Sequence, residues 1–173
     1  MAVLIFLLTI IVIIGFVSYY YYKAIVNEIL ETLVVLDKIF EKRYEELSKS
    51  IAQFQKYMPN QKDLIFEVQR AKADAAKVSK PKTTEELAQK IVNENALTLN
   101  INMLIDCCDF QNIHPDLKEC IKKQVNFIQE IEQVADDYNK SITLYKQIKD
   151  IFPFNLYSKS MEIDLNLDII KTE

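Results

Sequence analysis

Residues 25–58, IVNEILETLVVLDKIFEKRYEELSKSIAQFQKYM, carry apolar side chains at Ile25, Ile29, Leu33, Leu36, Phe40, Tyr44, Leu47, Ile51, Phe54 and Met58. Steps of four and three place them all on one face of a helix. The spacing repeats every 11 residues, from Ile25 through Leu36 and Leu47 to Met58. An 11-residue period keeps the stripe on one side of a nearly straight helix with little left-handed supercoil. Such a helix is about 50 Å long at 1.5 Å per residue, and it cannot hide its apolar face alone. Partner helices must come from elsewhere in the chain.

Towards the N-terminus, residues 1–22, MAVLIFLLTIIVIIGFVSYYYY, contain no charged side chain, and Lys23 follows at once. Roughly 20 apolar residues cross the ~30 Å hydrocarbon core of a bilayer, and this run meets that length. Tyr19, Tyr20, Tyr21 and Tyr22 put amphipathic rings where such rings prefer the headgroup level, and Lys23 can extend its amine into water. A cleaved secretory signal needs a basic start, a shorter apolar run and small residues at the cut. An uncleaved single-pass anchor with its boundary near Tyr22 is the expectation, continuing into the long helix with room for a bend at the tyrosines. Lys23, Lys38, Lys42 and Arg43 all follow the span, so positive-inside counting places the rest of the chain in the cytoplasm, at a cell (inner) membrane. Three cysteines with no C-x-x-C pair fit a reducing compartment better than a disulfide framework.

The remainder, about 150 residues, suffices for one domain with a core. The single glycine, Gly15, lies in the span, so the rest has no residue that readily takes positive φ. Hairpin-rich folds are therefore disfavoured. The net charge of -4 comes from 21 basic and 25 acidic residues that are mixed rather than blocked, which argues against a nucleic-acid face.

Towards the C-terminus, Pro59 and Asn60 break the first helix near Tyr57. A shorter second helix follows with Leu64, Val68, Ala71, Ala75 and Val78 on one face, and SKPK at 79–82 reads as a turn. Thr83 and Glu86 have the spacing of a capping box and open a third helix. Its stripe is Leu87, Ile91, Leu97, Ile101, Leu104 and Cys108, interrupted by Asn93, Asn95, Asn100 and Asn102, and it ends by Phe110. Pro115, with Asp116 and Glu119 nearby, opens a last helix that runs to about Phe152. Ile121, Val125, Ile128, Val134, Tyr138, Ile142, Tyr145, Ile148 and Phe152 form its apolar face, and Pro153 closes it. In the tail, Ile163, Leu165, Leu167 and Ile169 alternate with polar residues, a strand-like pattern without a partner strand.

The expected fold is all-α: a transmembrane anchor (1–22), an antiparallel four-helix bundle with long first and last helices (23–153), and an extended or disordered tail (154–173). The second helix is about half as long as the first and last. Part of those two then pairs without full coverage, leaving a bend or an apolar surface for a partner.

The segment YNKSITLYKQIKDIFP at 138–153 resembles the end of the LemA family, Y-N-x-x-V-x-x-Y-N-x-x-I-x-x-F-P. Tyr138, Asn139, Ile142, Tyr145, Phe152 and Pro153 match in register; Lys146 stands at the second Asn and Ile148 comes one position early. Lys42, Arg43, Tyr44, Glu45, Leu47, Ile51, Phe54 and Tyr57 are similar to the family's K-R-R-Y-D-L-I-P-N-L-V-x-x-V-x-x-Y segment, with Ser48 and Lys49 in place of Pro-Asn. His114, Pro115, Asp116, Leu117 and Lys118 resemble its Y-P-D-L-K turn. The resemblance implies a single N-terminal membrane helix, a short extracytoplasmic N-terminus and an antiparallel helical bundle. It implies no agreed biochemical activity.

Cys107, Cys108, His114 and Cys120 gather around one helix-helix turn, but their spacing is wrong for paired zinc knuckles, and neighbouring helical cysteines diverge by about 100°. Buried structural thiols and a loop histidine are expected instead. A lone histidine supplies no E-x-x-H pair for a di-iron centre, and a cysteine nucleophile lacks any sign of an oxyanion site. Tyr138 and Tyr145, seven apart on the apolar stripe, read as core. The chain is therefore expected to be a non-enzymatic, membrane-anchored scaffold or adaptor without cofactor, small-molecule substrate or nucleic acid. Its partners would be the lipid bilayer and other proteins, a second copy of itself included. The runner-up is a regulator or accessory subunit of a membrane protease or envelope-stress system.

Overall fold

The computed structural model describes residues 1–78, 81, 84–109, 113–160 and 170. Among them the fold is all-helical, with no strand: α1 (Ala2–Tyr57), a 3-10 turn (Pro59–Gln61), α2 (Lys62–Lys77), α3 (Thr84–Asp106), α4 (Pro115–Ile148) and α5 (Phe154–Ser160). No proline interrupts residues 2–57, and α1 runs unbroken through the four tyrosines for 56 residues, about 84 Å. It stops where the sequence dictates. Met58, the residue before Pro59, leaves the helical region at φ -127° and ψ 56° while its N–H still reaches the Phe54 carbonyl at 2.8 Å.

Contacts along α1 fix the directions of its partners. Tyr22 meets Tyr145, Ser50 meets Gln124 and Tyr57 meets Asp116, so α1 and α4 run antiparallel. Asp37 pairs with Lys90, Arg43 with Glu94, and Met58 lies beside Cys108, so α3 runs in the same direction as α1. Helix α2 packs mainly on α3, where the Asn93 amide donates to the Asp74 carbonyl at 3.0 Å, and it reaches α1 at Ser48 through Lys72.

The apolar core falls into two clusters. The first, next to the N-terminal part of α1, joins Tyr22, Ile25, Ile29, Leu36 and Phe40 to Ile131, Tyr138, Ile142 and Tyr145 of α4, with Ile91 and Ile170. The second joins Leu47, Ile51 and Phe54 to Ile65 and Val68 of α2, Leu97, Ile101 and Leu104 of α3, and Leu117 and Ile121 of α4. The stripes read from sequence are those that turn inward. Each fully buried Leu or Ile among them contributes about 1.5–3 kcal/mol by leaving water.

Two readings need correction. Helix α4 ends at Ile148 rather than near Phe152, so Phe152 leaves the buried face and is 75% exposed. The stretch after Pro153 is not extended throughout: Phe154–Ser160 forms α5, packed on α1. Burial of Phe154 and Tyr157 against the tyrosines of α1 compensates for the short length of this helix. The capping hydroxyl of Thr83, most of the turn at 79–82, and the alternating residues 163–169 lie outside the described residues.

Candidate interaction surface

Between the two apolar clusters lies a layer of buried polar groups. Arg43 is fully buried; its Nη2 donates to Glu94 Oε2 and its Nη1 to Thr98 Oγ1, the latter at 2.8 Å. Its guanidinium carbon lies 5.5 Å from the centroid of the Phe40 ring. One turn earlier on α3, Lys90 pairs with Asp37 of α1. On the α4 side the Gln124 amide donates to Ser50 Oγ at 3.2 Å. Burial pushes the Glu94 carboxyl up to about 7, against the pull of Arg43, and Asp37 adds to the rise. Burial likewise lowers Arg43. Arg43 Nε, Glu94 Oε1 and Gln124 Oε1 have no partner among the described residues. A buried layer of this kind fixes helix register, because sliding either helix by one turn strands a charge in the core.

Helix α2 stops at the level of this layer: Asp74, near its end, is held by Asn93, the neighbour of Glu94. Beyond that level, towards the N-terminal part of α1, the described residues leave a groove between α1 and α3. It has a volume of about 490 Å³ and is floored by Leu33, Leu36, Phe40, Leu87, Ile91 and Ile170, with Leu30 and Val34 at its lip. Leu30 and Val34 are 44% and 57% exposed. Asp37, Lys38, Glu41 and Lys90 supply polar groups at its rim. The groove extends along α1 from Leu30 to Glu41, about three helical turns. Its lining is predominantly apolar.

The residues singled out by sequence are distributed over the whole molecule. Tyr19 meets Tyr20 and Tyr157 edge-on at 5.7 and 5.6 Å, while Tyr20, Tyr21 and Lys23 are exposed. Tyr22 does not face outward with Tyr20 and Tyr21: it is fully buried beside Tyr145, with ring centroids 5.9 Å apart. Lys42 is exposed and Tyr44 half-buried between the two clusters. Tyr138 and Tyr145 are fully buried, whereas Asn139 turns aside and clasps the backbone of Ile170, donating to its carbonyl and accepting from its N–H, both at 2.9 Å. At the opposite end Tyr57 stacks on His114 at 4.2 Å and donates to Asp116 Oδ2 at 3.0 Å. Pro115 opens α4, Leu117 is buried and Lys118 exposed. Phe152 and Pro153 form the corner before α5.

The cysteines do not converge. Cys107 is exposed, the Cys108 thiol lies 3.5 Å from both Met58 Sδ and the Leu104 carbonyl, and Cys120 sits on α4. Burial raises the Cys108 and Cys120 thiols, the direction opposite to that of a reactive thiolate. Among the described residues no group of three or more His, Cys, Asp or Glu is arranged to hold a metal ion.

Sequence reasoning missed Glu94, Thr98, Lys90 and Gln124. Their spacing was the available signal: Arg43 is three after Phe40, and Glu94 is three after Ile91, so opposite charges occupy core positions of two helices.

No family model, curated protein or solved structure matches the chain. Among the described residues one helix, α1, is long and apolar enough to cross a membrane, by length and composition; a signal sequence near an N-terminus passes the same test.

Proposed function

We propose that this chain is a single-pass membrane scaffold, non-enzymatic, which holds a helical bundle at the cytoplasmic face of a cell membrane and offers a groove to a helix of a partner protein. The observation that carries the reading is the apolar groove between α1 and α3, which begins at Leu30, directly after the buried Ile29 of the anchor helix. A helix lying there would take the place that α2 is too short to fill. In this reading α1 to α4 close as an up-and-down antiparallel four-helix bundle, supported by the α1–α4 and α1–α3 directions and by the packing of α2 on α3.

Anchorage is supported by the exposure of the apolar side chains before Gly15, Val3, Leu4, Ile5, Phe6, Leu7 and Leu8 among them. Membership of the LemA family remains a proposal, supported by the meeting of two of its resembling segments at Tyr57 and His114.

Anchorage and sidedness are tested together. With Cys107, Cys108 and Cys120 changed to Ser and Gln129→Cys added on the exposed face of α4, the protein should stay in membranes through alkaline carbonate extraction at its uncleaved mass. The new thiol should resist an impermeant maleimide in intact cells and react after lysis. A shortened, extractable product identifies a signal sequence, and labelling before lysis puts the bundle outside.

A further inference from the structure

Helix α5 lies alongside a part of α1 that the membrane reading places inside the bilayer. The Tyr157 hydroxyl donates to the Gly15 carbonyl at 2.8 Å, its ring meets Tyr19 edge-on at 5.6 Å, and Phe154 packs on Tyr21 and Tyr22 at 6.2 and 6.4 Å. Gly15 is about 10 Å nearer the N-terminus of α1 than Tyr22, deeper in the uncharged run. The uncharged run ends only at Lys23: residues 2–22 give about 31 Å of helix, matching the ~30 Å core, whereas stopping before Gly15 leaves about 20 Å. A span of sufficient length therefore includes the segment on which α5 is packed.

The outward side of α5 and of the corner before it is suited to that position. Ile151, Phe152 and Leu156 are 56%, 75% and 53% exposed. They flank Phe154, whose ring lies 6.2 Å from that of Tyr21 on α1, and Tyr20 and Tyr21 are themselves 64% and 48% exposed. Single exposed apolar residues are ordinary, but three within six residues, on a segment packed against an exposed apolar helix, suit a lipid-facing surface.

We infer that the Ile151–Pro153 corner and α5 are immersed in the bilayer interface, with Ile151, Phe152 and Leu156 at the boundary between headgroups and acyl chains. The protein would then hold the membrane at two points, the spanning helix and an interfacial clip returning from the far end of α4. This rests on the anchor reading of α1. The clip fixes the tilt of the bundle, because α4 is tied to the membrane surface through α5 as α1 is through its span.

The chain has no tryptophan, so single-Trp variants report depth without background. The full chain is reconstituted into phosphatidylcholine vesicles brominated either near the headgroup or deep in the acyl chain, using Phe152→Trp, Leu156→Trp, Phe16→Trp in the span and Phe66→Trp on α2. Phe152→Trp and Leu156→Trp should emit at blue-shifted wavelengths and be quenched chiefly by shallow bromines. Phe16→Trp should be quenched and Phe66→Trp not at all. Quenching of Phe16→Trp with red, unquenched emission from both the 152 and 156 variants would overturn the interfacial clip and leave the anchor standing. Failure of Phe16→Trp as well would overturn both.

Discussion

Arg43 and Glu94 are costly residues in a core, and their cost is sensitive to pairing. Removing one partner leaves an uncompensated buried charge, so Glu94→Ala should destabilise the protein by about 3–5 kcal/mol in urea unfolding followed by circular dichroism. The double variant Arg43→Met with Glu94→Leu should recover most of that loss, because apolar groups of similar volume need no partner. Glu94 also makes stability depend on pH. Its carboxyl is raised to about 7 in the folded state from 4.5, so the folded chain holds the proton more tightly. The stabilisation is complete below about pH 4.5 and lost as pH rises through 7, a fall of at most about 3 kcal/mol. Glu94→Gln should flatten this slope, and the substitution should therefore cost more at pH 5 than at pH 7.5. An unchanged slope would assign the dependence to other groups. Arg43 was noticed in the sequence as part of a motif, but its burial was concealed because charge ordinarily argues for the surface. The asparagines around Glu94 hid it for a related reason: a polar stretch reads as solvated until its facing helix is known.

At the scale of elements, the α1–α4 seam was the most legible feature, since both stripes persist over many turns and one-face burial leaves a helix no other option. Ile142 lies fully buried in that seam, and Ile142→Ala should cost about 2–5 kcal/mol. Val35 is on the same seam's helix α1 but exposed, and Val35→Ala should stay within about 0.5 kcal/mol by the same unfolding measurement. Helix α5 was illegible for a physical reason. Seven residues are too few for a helical period to declare itself, and their order comes from tertiary contacts with the tyrosines of α1, not from local propensity. The same contacts draw Tyr22 inward, which a reading of four consecutive tyrosines as one girdle does not anticipate.

For the whole molecule, the mismatch in helix lengths matters more than any single side chain. Helix α2 ends at the buried polar layer, and the consequence, an open apolar groove of about 490 Å³, was foreseeable from sequence as incomplete coverage but not as a location. Which helices border it depends on the directions of α1 and α3, and those follow from charged pairs that periodicity does not register. On the proposed scaffold role, a groove just past the anchor is placed to meet a helix of a partner held near the bilayer. Charge at its lip should close it to an apolar helix without disturbing the core, because Leu30 is exposed. The most direct measurement is photo-crosslinking in intact cells from a benzophenone side chain at position 34, compared with one at position 129 on α4 and with position 34 in a Leu30→Glu background. A discrete adduct is expected from position 34 alone, lost with Leu30→Glu while the protein remains folded and in the membrane. Adducts of equal yield from both positions, or an adduct from position 34 indifferent to Leu30→Glu, would contradict the groove as the site where a partner helix binds.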